Sequence, residues 1–319
     1  MTTFASLFTG FGLADIGAMM AGCKLLWGVE LDSAIARVCE NNLNHQDQLY
    51  TQSVIDVDFT KLESPDILWA SPPCPSFSKA KLNAVETSFD KALAEAIVNA
   101  ISILKPRAFI LENVEGYKNS ESLKLIRSAL YRSGYMMDQQ VLNSADFGVP
   151  QTRRRLILRA VRGFLPALPQ KQKWKSWYQA IEDLIPGLPE SPLAQWQLKI
   201  LPETILIDMS LSTSTLKPLL ISGCANNYSS SVSFRKSHEP ALTVTKSFDR
   251  QVSRIYLTSG LVVMLNSRAL ARFQTLPDWY ELPSHNSLAY RGIGNGIPCL
   301  LSQKVIQSIL RAFEWLAVS

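Results

Sequence analysis

Asp66-Ile67-Leu68-Trp69-Ala70-Ser71-Pro72-Pro73-Cys74-Pro75-Ser76-Phe77-Ser78 joins an apolar run to a turn crowded with proline and serine around a single thiol. Residues 66–70 read as a short buried strand. Proline has no N–H to give to a sheet ladder, so the strand must stop by Pro72. A second apolar run, 108–111, leads into Glu112-Asn113-Val114. Between the two runs, residues 86–104 carry the apolar spacing of a helix. Strand, helix, strand is the unit of a parallel sheet covered on both faces, whose working loops follow the carboxyl ends of the strands. Cys74 and the Glu112-Asn113 pair both fall at such ends.

The same alternation extends upstream. Residues 4–8 read as a strand, Gly10 and Gly12 as a turn, and a helix is expected from Asp15. A second strand over 25–29 ends at Glu30-Leu31-Asp32, with Asp32 or Ser33 capping a helix through Cys39. A third strand is expected over 50–55, ending at Asp56. After Gly163 the composition changes: prolines 166, 169, 186, 189, 192 and 202 cluster with Trp174, Trp177 and Trp196, and serines are frequent over 210–237. This predicts a second, irregular domain of short strands and loops. Residues 302–316 look like an amphipathic helix returning to the first domain. The expected organisation is an α/β, Rossmann-like domain over 1–165, completed by 284–319, with a smaller, mostly β or irregular domain over 166–283.

Length and composition bound the function classes. The chain has 319 residues, 47% hydrophobic and 18% charged, as in ordinary globular proteins. No apolar run reaches the ~18–20 residues of a membrane span, and Met1-Thr2-Thr3-Phe4 lacks the basic start of a signal peptide, which together favour an intracellular protein without a membrane partner. A net charge of +5 is compatible with a polyanionic partner without requiring one. Five cysteines without a CxxC pair, and three scattered histidines, argue against a disulfide framework and a metal site.

Each candidate residue has two readings. Gly10 and Gly12 let a ligand approach the backbone at a helix N-terminus, or simply make a tight turn. Glu30, at a strand end downstream of that turn, can accept hydrogen bonds from two ribose hydroxyls, or be a surface acid. Asp56 can accept from an adenine amino group, or be a helix cap or a loop acid. Cys74 can be a buried apolar residue, but its proline and serine neighbours favour an open turn in which a thiol can ionise. Glu112, partly desolvated, can stay protonated and act as an acid, or with Asn113 open a helix. Gln151-Thr152-Arg153-Arg154-Arg155 leads into an apolar strand. Arg153 and Arg155 lie on one face of it, able to reach a phosphate or a base carbonyl, or to guard a solvated edge.

Taken in order, these blocks resemble the DNA (cytosine-5)-methyltransferase family. Residues 6–17 look like its cofactor loop, Trp27-Gly28-Val29-Glu30-Leu31-Asp32 its ribose-binding strand end, and Ser71-Pro72-Pro73-Cys74 its catalytic loop. Glu112-Asn113-Val114 is its Glu-Asn-Val motif, and residues 151–155 match its Gln-x-Arg-x-Arg strand. Residues 238–245, 265–277 and 290–298 complete the series. The joint order, more than any single block, carries the resemblance.

The resemblance implies S-adenosylmethionine as cofactor and a cytosine flipped out of duplex DNA as substrate. It implies attack of Cys74 on ring atom C6, a proton or hydrogen bond from Glu112 at N3, Arg155 on the O2 carbonyl, Arg153 close to the thiol or to backbone, and Asn113 fixing the geometry. It implies cofactor contacts from Phe8, Gly10, Gly12, Glu30, Leu31, Asp56, Val57, Pro73 and Asn295, and contacts on the DNA side from Ser78, Gln151 and Thr243. It further implies a monomer in a bacterial or phage-encoded, cytoplasmic setting, with a cognate restriction endonuclease as a possible partner. Residues 166–240 would choose the target sequence, with Lys171, Lys173 and Lys175 forming either a backbone-binding patch or a solvated hairpin. A tRNA substrate, and a nucleic-acid binder without activity, are the alternatives. Ser6 stands where the family usually has an acid, Leu13 replaces a usual glycine, Leu31 an aromatic residue of some members, Ser71 a frequent glycine and Pro75 a usual glutamine. None of these departures removes a reacting group.

Overall fold

The two apolar runs lie side by side at the middle of a seven-stranded sheet in the computed structural model, which describes residues 1–45, 48–73, 86–193, 195–203, 218–225, 230–246 and 251–318. The strands are β1 (Thr3–Leu7), β2 (Lys24–Glu30), β3 (Leu49–Thr51), β4 (Ile67–Ala70), β5 (Ala108–Asn113), β6 (Tyr135–Asn143) and β7 (Arg154–Arg162), in the order β3-β2-β1-β4-β5-β7-β6. The first five run parallel, while β7 is antiparallel to both β5 and β6. Every residue of β4 and β5 is buried, as expected for central strands covered on both faces. Strand order reverses between β1 and β4, the place where ligands of open α/β sheets bind.

Local sequence explains the helices of this layer. Asp32 caps α2 (Ser33–Asn42) by accepting from the Ala34 and Ile35 N–H groups. Thr87 and Asp90 form a reciprocal capping box at the start of α3 (Ser88–Leu104). Ser120 caps α4 (Glu121–Arg132). The helix expected from Asp15 starts two residues earlier, as α1 (Leu13–Met20), because Gly12 takes the left-handed conformation that ends the turn. The third strand is shorter than expected. It ends at Thr51, and residues Val54–Asp56 form a 3-10 turn capped by the Ser53 hydroxyl on the Ile55 N–H, so Asp56 is exposed on a turn and not at a strand end. The strand expected over the Gln151–Leu158 block begins at Arg154.

Contacts divide the chain into two compact units. The first is Met1–Asn143, Arg154–Lys171 and Gly296–Ser319; the second is Ser144–Arg153 and Gln172–Asn295. The expected C-terminal helix spans Cys299–Val318, longer than the amphipathic pattern suggested, and packs within the first unit against α1. Arg159, buried on β7, ties this layer together: it reaches Asp138 on β6 and the Ser308 hydroxyl of the C-terminal helix. The second unit has a four-stranded antiparallel sheet, β8 (Leu219–Ala225), β9 (Ser230–Lys236), β10 (Gln251–Tyr256) and β11 (Val262–Met264), in the order β11-β10-β8-β9. It also holds α5 (Trp177–Ile181), α6 (Gln195–Ile200), α7 (Ser267–Phe273) and α8 (Asn286–Asn295). Trp196 lies against Gly223 of β8, where a Cβ would meet the indole ring. The turn expected over 294–298 is shorter than its motif, because α8 runs on to Asn295.

Gly17 sets the approach of α1 to the C-terminal helix. A Cβ there would collide with Ser302 Oγ and come within 2.7 Å of the Cys299 carbonyl. Alanine is favoured over glycine inside a helix by about 1 kcal/mol, but overpacking costs roughly 1–3 kcal/mol, and here a backbone carbonyl must move. Gly17→Ala is therefore expected to lower stability in urea unfolding; equal or greater stability would contradict this packing.

Candidate active site

Glu112 and Asn113 are the polar end of a strand that is otherwise apolar and wholly buried. Buried polar groups need partners, and these have them. Glu112 Oε1 lies 3.0 Å from Arg155 Nε, reaching across from β5 to β7. Asn113 Nδ2 donates to the Pro72 carbonyl at 3.1 Å, and its Oδ1 accepts from the Val114 N–H at 2.8 Å. The pair thus ends a strand and does not open a helix; the cap of α4 is Ser120. Arg155 also donates to the Arg154 carbonyl, while Arg154 points outward to Glu115.

The glycine turn and the end of β2 meet in the same unit. The Gly10 N–H donates to Glu30 Oε2 at 2.8 Å and the Asp32 N–H to Oε1 at 2.9 Å, so the carboxylate is fixed by two backbone donors. Phe8 sits at φ 62°, a left-handed conformation that is rare outside glycine, and Gly10 follows at φ 61° with nothing within 4 Å of a Cβ position. Gly12 differs: a Cβ there would meet Cys39 and Leu43, so its bareness serves packing of the turn on α2. Leu31, Asp56 and Pro73 are exposed and Val57 is buried. Cys74 and Ser78 lie outside the described residues, as does Pro75.

Gln151, Arg153, Thr243 and Asn295 belong to the second unit. The Gln151 amide is fully buried; it donates to the Phe273 carbonyl and the Gln274 side chain and accepts from the Val244 N–H. Arg153, 1% exposed, donates to the carbonyls of Val244 and Gly294, each at 2.8 Å. Both side chains are therefore internal braces of the second unit. Thr243 Oγ1 donates to the Thr152 carbonyl at 2.6 Å, and Asn295 is exposed at the end of α8. Residues 171–175 are exposed, and the Trp174 indole N–H donates to Asp146.

Sequence reasoning did not single out Asp15 and His45. The Asp15 carboxylate is fully buried and accepts from Ser6 Oγ at 2.9 Å, with His45 Nε2 at 3.1 Å. Two of the departures also find local partners. The Ser71 hydroxyl accepts from the indole N–H of buried Trp69 at 2.8 Å, a service glycine could not give. The Leu13 side chain fills the space beside Gly296, where a Cβ would come within 2.7 Å of it.

The family model described as C-5 cytosine-specific DNA methylase matches residues 2–311. The chain belongs to that family. Its reaction class is therefore methyl transfer to C5 of cytosine in nucleic acid. The Type II methyltransferase M.AplI of Arthrospira platensis is 28% identical over 326 residues, covering 97% of this chain and 85% of that protein. M.Eco47II of Escherichia coli is 29% identical over 349 residues, covering 98% and 79%. The S. pombe Dnmt2 methyltransferase structure shares the fold at a TM-score of 0.68 and 14% identity, covering 98% of this chain and 99% of that one. The Entamoeba histolytica methyltransferase EhMeth does so at 0.66 and 12%, covering 98% and 99%. Among the described residues, no helix is long and apolar enough to cross a membrane.

Three thiols are held unreactive. Burial, reinforced by Asp66, pushes Cys23 up to about 11. Burial, then the charges of Asp15, Glu30 and Glu40, holds Cys39 well above its ordinary value, and burial does the same to Cys299. Raised values mean that the neutral thiol persists at pH 8, and only the thiolate is nucleophilic. Brief iodoacetamide treatment of the native protein at pH 8 should leave all three unmodified in peptide mass maps, and all three should react in guanidinium. The Arg155–Glu112 pair gives a second expectation. Glu112 is buried and Arg155 half-buried, and leaving a buried polar group unpaired costs roughly 1–3 kcal/mol, so Arg155→Met should destabilise the fold while Arg154→Met, at an exposed pair, stays near wild type. Equal midpoints for the two variants in denaturant unfolding would contradict the pairing of buried Glu112.

Proposed function

We propose that the chain transfers the methyl group of S-adenosylmethionine to C5 of a cytosine flipped out of duplex DNA, with Cys74 bonded to C6 during the reaction. The observation that carries this reading is the buried polar end of β5: Glu112 is held by Arg155, and Asn113 holds the Pro72 carbonyl two residues before Cys74. Inside a duplex the target ring atoms are shielded by stacking, so the base has to leave the helix. The Cys74 thiolate then adds to C6. As the S–C6 bond forms, the C5–C6 π pair shifts toward C5 and N3 takes a proton or strong hydrogen bond from Glu112. C5 uses that pair to bond the methyl group, and the methyl–sulfur bond breaks with its pair left on sulfur, which becomes a neutral thioether. Loss of the C5 proton to water returns the pair to the ring and expels the Cys74 thiolate from C6, and N3 returns its proton to Glu112.

The residues at the strand ends fit the cofactor. The Glu30 carboxylate is already oriented by two N–H groups, and each oxygen can accept a further hydrogen bond from a ribose hydroxyl. The space beside Gly10 admits a ligand close to the backbone. When bound, S-adenosylmethionine supplies an electrophilic methyl group on a sulfonium. Phe8, Leu31, Asp56, Val57 and Pro73 complete the proposed contacts, with Gly12 shaping the turn. Arg155 steadies Glu112 and the base carbonyl. Gln151 and Arg153 are positioning residues of the second unit, and Ser78 and Thr243 act on the DNA side. In this reading the first unit performs the chemistry and the second selects the sequence.

Labelled methyl transfer to duplex DNA and to tRNA tests the substrate, and Cys74→Ser tests the mechanism. The expected results are label in DNA, loss of transfer to background in Cys74→Ser, and a drop of about 10²–10⁴-fold in kcat for Glu112→Gln. Wild type should also form a denaturation-resistant adduct with 5-fluorocytosine DNA, which traps the C6 bond because fluorine cannot leave as a cation. Label found only in tRNA would overturn the DNA reading, and wild-type rates in Cys74→Ser would overturn the covalent one.

A further inference from the structure

The turn that carries Phe8 and Gly10 is strained at a non-glycine residue, and such a conformation persists only when its surroundings over-determine it. Beneath it lies a buried polar chain. The Val29 N–H donates to Thr9 Oγ1 at 3.0 Å, the Thr9 and Ser6 hydroxyls are 2.8 Å apart, and Ser6 Oγ donates to Asp15 Oδ1 at 2.9 Å. Each hydroxyl has one proton. With the Ser6 proton directed at Asp15, the Thr9 hydroxyl is the donor across the 2.8 Å contact, its proton shared with the carbonyls of Ser6 at 3.3 Å and Val29 at 3.2 Å, while Thr9 accepts from the Val29 N–H. The chain therefore runs in one direction and ends on the carboxylate, where its donors reinforce one another. His45 Nε2, 3.1 Å away, reaches the same oxygen, while Asp15 Oδ2 has no hydrogen-bond partner among the described residues. An isolated brace needs no carboxylate with one oxygen left over; a neutral acceptor would be less costly to bury.

We propose that Asp15 is a positioning residue for cofactor binding. Its carboxylate anchors the Val29–Thr9–Ser6 chain, which fixes the turn at Phe8 and Gly10 against the strand end that presents Glu30. The chain reaches the backbone one residue before Glu30, and Glu30 in turn receives the Gly10 N–H, so the carboxylate beneath the turn and the carboxylate facing the ligand restrain the same five-residue stretch from opposite sides. Asp15 touches neither the ligand nor the reacting atoms, and its loss should act on cofactor affinity and not on the chemical step. This inference rests on the cofactor reading given above.

Calorimetric titration of the full chain with S-adenosylmethionine, paired with steady-state methylation of duplex DNA, tests it. Asp15→Asn keeps the shape and removes the charge; it should raise Kd and KM for the cofactor about tenfold or more, with kcat at saturating cofactor within about twofold of wild type. Ser6→Ala keeps the Asp15–His45 pair but cuts the chain, and should shift both constants in the same direction even if Asp15→Asn does not fold. Folded variants with wild-type Kd, or a fall in kcat without a rise in KM, would overturn the proposal. Absence of binding by the wild type would instead overturn the cofactor reading itself.

Discussion

The rest of the structure depends on one constraint: a strand buried on both faces ends in a carboxyl group and an amide. Every apolar residue of β5 favours the centre of the sheet, and Glu112 and Asn113 follow because they are joined to it. Neither can be left unpaired there. The carboxyl draws Arg155 from β7, and the amide draws the Pro72 carbonyl from the turn after β4. Two neighbouring strand ends are thereby locked to one another by the groups to which the proposed mechanism assigns its proton and its geometry. The antiparallel β7 is what makes this possible, since its start, and not its end, lies beside the end of β5.

Much of this was legible in the sequence because it is local. The strands β4 and β5 are unbroken apolar runs bounded by prolines or polar residues, and Thr87 with Asp90 marks the start of α3 just inside the expected range. The third strand was overextended, because Leu49-Tyr50-Thr51 has strand character and nothing in composition shows that the Ser53 hydroxyl will cap a turn. What could not be read is long-range pairing. Asp15 and His45 are 30 residues apart, and no pattern announces that they share an oxygen's neighbourhood. The period of two placed Arg153 on a face but did not say what covers that face. Backbone carbonyls of Val244 and Gly294, 91 and 141 residues away, cover it.

Three of the departures from the family pattern, Ser71, Leu13 and Ser6, have physical reasons in the structure. Ser71 answers an indole N–H that would otherwise be buried without an acceptor, and Leu13 occupies space that Gly296 leaves open. Ser6 relays a hydrogen bond to a carboxylate placed on the following helix. In each case the group at the variant position and the group it touches make sense only together, so the departures are compensated locally and leave Glu112, Asn113 and Glu30 in place.

The central claim is that these strand ends modify cytosine at C5 in DNA. Bisulfite sequencing of host DNA after expression of the chain measures this most directly, because a C5 methyl group protects cytosine from conversion wherever it is placed. Protected cytosines confined to one short sequence, and absent from an empty-vector control, are the predicted result. Complete conversion, indistinguishable from the control in cells that contain the folded protein, would contradict it.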